Sequence, residues 1–262
     1  MTQSKELFAL VTGASQGLGR AFALELSRRG HNLILLSLPG EQLTNLANGI
    51  KERYGLKVAV YETDLSEPRN VLMFAKWVNE HFDLFMLINN AGKGGSYSFV
   101  EASPEYINSI IQLNVTATSL LTHQLLPNLL RRHKAFVLNV SSLAALSPIG
   151  YKTVYPASKT FINHFSRGLN EELKGTGVFV SVVHPGAMKT SQDIVERINK
   201  QGFLGRLSLQ RPEKVAAICI SRMLRHDTVI HVNPLCCFML SLIPVWIRLP
   251  LMTKAVKREL KP

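Results

Sequence analysis

Cysteine is scarce in this chain: three in 262 residues, Cys219, Cys236 and Cys237, two of them adjacent and none at a metal-ligand spacing. A disulfide scaffold and a cysteine metal site are therefore not expected, and a reducing compartment fits best. Lysine and arginine total 30 against 18 acids, a formal charge of +12. Yet there is no run of five basic residues and no basic–aromatic interleaving, so nucleic acid is not an expected partner. The excess suits a phosphorylated ligand or anionic lipid, or simply solubility. No apolar stretch reaches the roughly 20 residues needed to span a bilayer. The best candidate, Leu235 to Ile247, is short and broken by Pro244. The opening "MTQSKELFALVTG" lacks a long apolar run before the first strand and a cleavage-like site. No signal peptide is expected, and the location reads as cytoplasmic.

What is present is a globular composition, 46% apolar and 18% charged, with ample length for one large core. Short apolar runs alternate with longer amphipathic ones, the pattern of repeated βα units around a parallel sheet. Strands are expected at 7–12, 32–37, 57–64, 84–92, 135–142, 178–186 and 229–232. Helices are expected at 17–30, from the second strand through about Tyr54, at 67–82, in one piece over 104–132, around Tyr155, and at 212–225. The fold class is α/β: a single-domain, doubly wound parallel sheet of about seven strands with helices on both faces. Residues 1–232 form the nucleotide-binding and catalytic part, and 233–262 an irregular apolar tail continuous with it. In such sheets ligands collect at the carboxyl ends of the strands. Asn90, Ser142 and Pro185 fall just past strand ends there, with Tyr155 soon after one.

Two stretches carry chemistry. "TGASQGLGR" (12–20) follows the first strand and opens the first helix. Gly13, Gly17 and Gly19 permit a tight turn and close backbone approach to a ligand, and the helix start offers N–H groups to a pyrophosphate. A compact turn without a ligand is the plainer alternative. "VYPASK" (154–159) sets Tyr155 and Lys159 one helical turn apart, on the same helix face. A nearby ammonium lowers a phenol's pKa, and such a pair can exchange a proton with a substrate oxygen near neutral pH. By itself the pair is also a common chance spacing. Pro156 requires the helix to begin shortly before it.

Taken together, the motifs resemble those of the short-chain dehydrogenase/reductase family. TGxxxGxG stands at 12–19, "NNAG" at 89–92, Asn114 in "LNVTA", Ser142 at the end of "NVSS", YxxxK at 155–159 and PGxxxT at 185–190. The resemblance implies a Rossmann-type fold and a ketone/secondary-alcohol oxidoreductase using NAD(P). It implies that Tyr155 is the acid/base, that Ser142 binds the reacting oxygen, and that Lys159 supports the phenolate and the nicotinamide ribose. Asn114 would order a water behind Lys159. It assigns cofactor contacts to Gly13, Ser15, Gln16, Gly17, Leu18, Gly19, Ser37, Asp64, Leu65, Asn90, Ala91, Gly92, Tyr155, Lys159, Pro185, Gly186 and Thr190. No metal is implied.

The sequence departs from the family where cofactor choice is made. Ser37 stands where NAD-preferring members often carry Asp, and Leu38 where many NADP-preferring members carry Arg. Lacking the acid, the site leans to NADP(H), with Ser37 and Arg20 as candidate phosphate partners. The stretch from Tyr155 to Gly186 resembles the branch of 17β-hydroxysteroid dehydrogenases and very-long-chain 3-oxoacyl-CoA reductases. That implies an apolar, lipid-like ketone or alcohol as substrate and a homo-oligomer. The apolar tail admits three readings: the wall of a lipid or steroid pocket, a subunit interface or core packing, or peripheral membrane contact beside Arg248, Lys254, Lys257 and Arg258. The alternative function is an NAD(P)-binding regulator with little turnover, or an NAD-dependent dehydrogenase working oxidatively.

Overall fold

A computed structural model describes residues 6–188 and 209–258, together with Leu260. Seven parallel strands, β1 (Leu7–Thr12), β2 (Asn32–Ser37), β3 (Val58–Glu62), β4 (Asp83–Asn89), β5 (Ala135–Val140), β6 (Val178–His184) and β7 (Val229–His231), lie in the order β3-β2-β1-β4-β5-β6-β7. Every neighbouring pair is parallel. The order reverses between β1 and β4, which opens a crevice at their carboxyl ends.

The strand residues sort by period two. Ala9, Val11, Leu33, Leu35, Phe136 and Leu138 pack on one face, with helices α1 (Gly17–Arg28), α2 (Leu43–Tyr54) and a late helix, Pro212–Met223. Phe8, Leu10, Ile34, Leu36, Ala135 and Val137 pack on the other, against α3 (Pro68–His81) and the helical segment Pro104–Leu130. Burying both faces requires near-continuous apolar strands, and "LFALVT" and "NLILLS" supply them. The expected doubly wound α/β sheet is what forms.

Three boundaries differ from the sequence reading in ways that matter. The segment expected as one helix over 104–132 is α4 (Pro104–Ile111), a π-helical turn (Gln112–Ala117) and α5 (Thr118–Leu130). Strand β4 stops at Asn89 rather than Gly92, because the N–H groups of Asn90 and Ala91 both donate to Thr12 Oγ1, at 3.0 Å. The tail, expected to be irregular, forms two helices. After α6 (Val154–Glu172) and α7 (Pro212–Met223) come α8 (Pro234–Leu242) and α9 (Val245–Lys257), divided at Pro244. Gly150 N–H donates to Thr253 Oγ1 at 2.9 Å, tying α9 to the loop before α6.

Candidate active site

The crevice floor is glycine for steric reasons. A Cβ on Gly19 would lie 1.9 Å from the carbonyl oxygen of Gly13, and Gly13 itself has φ +64°. Asn90 locks the same turn, its Nδ2 donating to the carbonyls of Thr12 (2.9 Å) and Gly13 (3.2 Å). The result is a groove of about 370 Å³. Gly13, Ser15, Gln16, Gly17, Leu18, Ser37, Asp64, Leu65, Asn90, Ala91 and Gly92 line it, so most of the expected cofactor contacts come together on one surface. Leu38, Glu41, Leu113 and Met188 line it too, and the sequence reading did not name them as contacts.

At its inner end the groove meets a second cleft, of about 170 Å³, through the shared residues Asn90, Gly92 and Met188. Ser142, Tyr155, Lys159, Pro185 and Gly186 all line this cleft. Thr190 lies outside the described residues. The parallel strands deliver these groups: Ser142 follows β5, Pro185 follows β6, and Tyr155 sits in the first turn of α6, which begins at Val154. Pro156 thus falls where its missing N–H costs nothing.

Lys159 is buried, and its Nζ donates to the carbonyl of Val140 at 2.9 Å. Burial lowers its pKa to about 8. The same burial raises the Tyr155 pKa, with Ser142 pulling weakly the other way. The expectation that Lys159 would lower the phenol therefore needs correction. The ammonium is 6.0 Å from the ring centroid, and desolvation of the phenolate outweighs it. Ser142 Oγ accepts from Ala144 N–H at 3.1 Å, which leaves its own proton to donate.

Asn114 lies on the π turn and is buried. Its Oδ1 accepts from Lys93 N–H at 2.8 Å, while its Nδ2 donates to the Lys93 carbonyl and to Ser158 Oγ, both at 2.9 Å. The side chain thus clamps the loop after β4 to α6. That loop is pressed onto the site: a Cβ on Gly94 would stand 3.1 Å from the Tyr155 ring, and one on Gly95 would stand 2.2 Å from Tyr106 Oη. Gly92 is equally confined, 3.1 Å from Lys159 Nζ and 3.2 Å from Asn114 Oδ1 by the same measure. The glycines of "GKGG" carried this signal in the sequence, unread.

On the other side of Tyr155, an aromatic wall forms from Tyr97, Phe99, Tyr106 and Tyr151. Among the described side chains, none from the tail lines either cleft that Tyr155 lines, and Trp246 is 75% exposed. The pocket reading of residues 235–251 finds no support in that arrangement. Ser37, offered as a phosphate partner, is 1% exposed and donates its hydroxyl to the Leu38 carbonyl at 3.0 Å.

Comparison with known proteins bears on the family and the fold. The sequence model described as short chain dehydrogenase matches residues 7–201. A very-long-chain 3-oxoacyl-CoA reductase from Anas platyrhynchos is 34% identical over 206 residues, 75% of this chain and 63% of that protein. An "inactive hydroxysteroid dehydrogenase-like protein 1" from Homo sapiens is 33% identical over 186 residues, 70% of this chain and 56% of that one. The chain therefore spans less than two thirds of these relatives. Among solved structures, a bulky-bulky ketone specific alcohol dehydrogenase from Comamonas testosteroni superposes with TM-score 0.77 at 25% identity, covering 92% of this chain and 96% of that one. A short-chain dehydrogenase from Sphingobium yanoikuyae in complex with NADPH gives 0.75 at 26%, covering 91% and 96%.

Proposed function

Because the chain belongs to the short-chain dehydrogenase family, we propose that it is an NAD(P)-dependent oxidoreductase that interconverts a ketone and a secondary alcohol, reducing an apolar, lipid-like ketone. One observation carries the reading: Ser142, Tyr155 and Lys159 line a single cleft that opens from a glycine-floored groove at the β1/β4 crevice.

A dinucleotide fits that groove. Glycine at 13, 19 and 92 lets the turn and the loop after β4 close on their own neighbours and leaves backbone exposed along the groove, and the start of α1 offers N–H groups to the pyrophosphate. Asp64 and Leu65 would face the adenine end, and Asn90 to Gly92 with Pro185 and Gly186 the nicotinamide end. When bound, the nicotinamide supplies the hydride that no side chain can. The protein's part is to hold and move a proton. Ser142 donates to the carbonyl oxygen and fixes it. Tyr155, kept protonated by burial, gives its proton to the same oxygen as charge develops there. Lys159, anchored on Val140 and on the same helix face, supports the phenolate left behind. Asn114 acts through the Lys93 clamp, which seats the glycine loop over Tyr155.

The substrate reading draws on the aromatic wall beside Tyr155 and on the relative named as a 3-oxoacyl-CoA reductase. NADP(H) is the cofactor reading, since a structural neighbour holds NADPH. The exposed Phe238, Leu242, Trp246 and Leu251 of α8 and α9 suit a second subunit or the surface of a membrane; no helix among the described residues is long and apolar enough to cross one. A second reading, cofactor binding with little turnover, is raised by the relative named inactive.

NADPH consumption with a panel of 3-oxoacyl thioesters, steroid ketones and small ketones separates the two. The expected result is turnover that rises with apolar size, with Tyr155→Phe lowering kcat at least about 100-fold and leaving NADPH affinity nearly unchanged. NADPH binding without turnover across the panel would favour the regulator. Near-wild-type kcat in folded Tyr155→Phe would remove Tyr155 from the chemistry.

A further inference from the structure

The loop after β2 brings an unassigned carboxylate into the groove. Glu41 lines the groove at the end remote from Tyr155, alongside Ser37, Leu38 and Asp64. It also lines an adjoining outer cavity of about 480 Å³, with Ser15, Gln16, Arg20 and Asn45. Ser15 Oγ donates to Glu41 Oε2 at 2.5 Å, so a residue of the glycine turn holds the carboxylate across the mouth. The backbone helps to set this position: Gly40 has φ +80° and Gln42 has φ +54°, so the loop turns sharply on both sides of Glu41.

We propose that Glu41, rather than the residue at position 37, determines the choice between NAD(H) and NADP(H). The inference rests on the nucleotide reading given above. An ionised carboxylate only accepts hydrogen bonds, so at the ribose end it favours the hydroxyls of NAD(H). A 2′-phosphate carries close to two negative charges near neutral pH and is repelled there. The Ser15 hydroxyl, a natural donor to such a phosphate, is already committed to Glu41. The Ser37 hydroxyl is committed to the Leu38 carbonyl and buried. Arg20 lines the outer cavity together with Glu41 and attracts a phosphate there. Opposed charges therefore meet where the groove adjoins the outer cavity, and Glu41 keeps NADPH affinity below what the rest of the site would allow.

The test is equilibrium binding to the wild type, Glu41→Gln and Glu41→Ala, read by titrating NADH and NADPH fluorescence, with 2′-AMP and 5′-AMP as competing fragments. Both variants should tighten NADPH and 2′-AMP by about 10-fold, the scale of one screened charge interaction, and leave NADH and 5′-AMP weaker or within twofold. Arg20→Ala should weaken NADPH alone. NADPH and 2′-AMP affinities within twofold of wild type in both folded variants would overturn the proposal, as would equal tightening of NADH. Failure of the wild type to bind either dinucleotide would overturn the nucleotide reading itself, and the proposal with it.

Discussion

Lys159 is held in the fold against the preference of its own charge. Burial brings its pKa to about 8 from 10.5, so the charged form that supports a phenolate disappears as pH rises past that value. The reductive kcat/KM should then fall above about pH 8, with arginine at the position extending the plateau because guanidinium stays protonated. A profile from about pH 6 to about pH 10 for wild type and Lys159→Arg checks this; the same alkaline limb in both would assign it to another group. Residues of this kind were legible in the sequence because their partners are near in it. Tyr155 and Lys159 are one helical turn apart, and the glycine turn is contiguous. Glu41 was not legible, since its contact with Ser15 crosses 26 positions and depends on the course of the intervening loop. Nor was the direction of the Tyr155 shift, which is set by how fully the loop at Gly94 and the wall at Tyr106 exclude water.

Among elements, the turn between β1 and α1 has the least room. At Gly19→Ala the added methyl would meet backbone, the Gly13 carbonyl 1.9 Å away, and cannot be relieved by a side-chain rotation. Weakening of NADPH by at least about tenfold, or 1.4 kcal/mol, is expected in the same titration, with Tm lowered. Unchanged affinity would mean that this turn does not touch the dinucleotide. Two elements escaped the sequence for different reasons. The π turn at Gln112–Ala117 inserts a residue into a helical ladder, and no residue type announces it; its effect is to carry Asn114 to the Lys93 clamp. The tail helices were hidden by Pro244 and Pro250, of which one lies at the start of α9 and the other within it. The strands were the easiest part, because burial on both faces leaves them little composition but aliphatic.

Across the whole molecule, the sheet ends in a histidine pair. His184 and His231 are register partners on β6 and β7, their rings 5.5 Å apart. Neither ring nitrogen of His184 has a hydrogen-bond partner among the described residues. Burial, then His231 and Arg167, lower its pKa to about 4 from 6.5. The native ring is therefore neutral, and the unfolded chain binds the extra proton between those two values. Stability is full above about pH 6.5 and declines as pH falls toward 4, by at most roughly 3 kcal/mol from this group. Thermal unfolding against pH should show a shallower acid loss in His184→Leu than in wild type, and equal losses would place the acid sensitivity elsewhere. The β1/β4 crevice has a consequence for synthesis on the ribosome. Thr12 receives the N–H of Asn90 from 78 positions downstream, and β1 has β4 as its second neighbour. While the chain emerges, β1 can pair with β2 almost at once, but its other edge stays open until Asp83–Asn89 arrives. A nascent chain shorter than that has the glycine turn and lacks the wall opposite it. The groove is thus a late product of translation, and a dinucleotide can act as a folding partner only for chains already extended past Gly92.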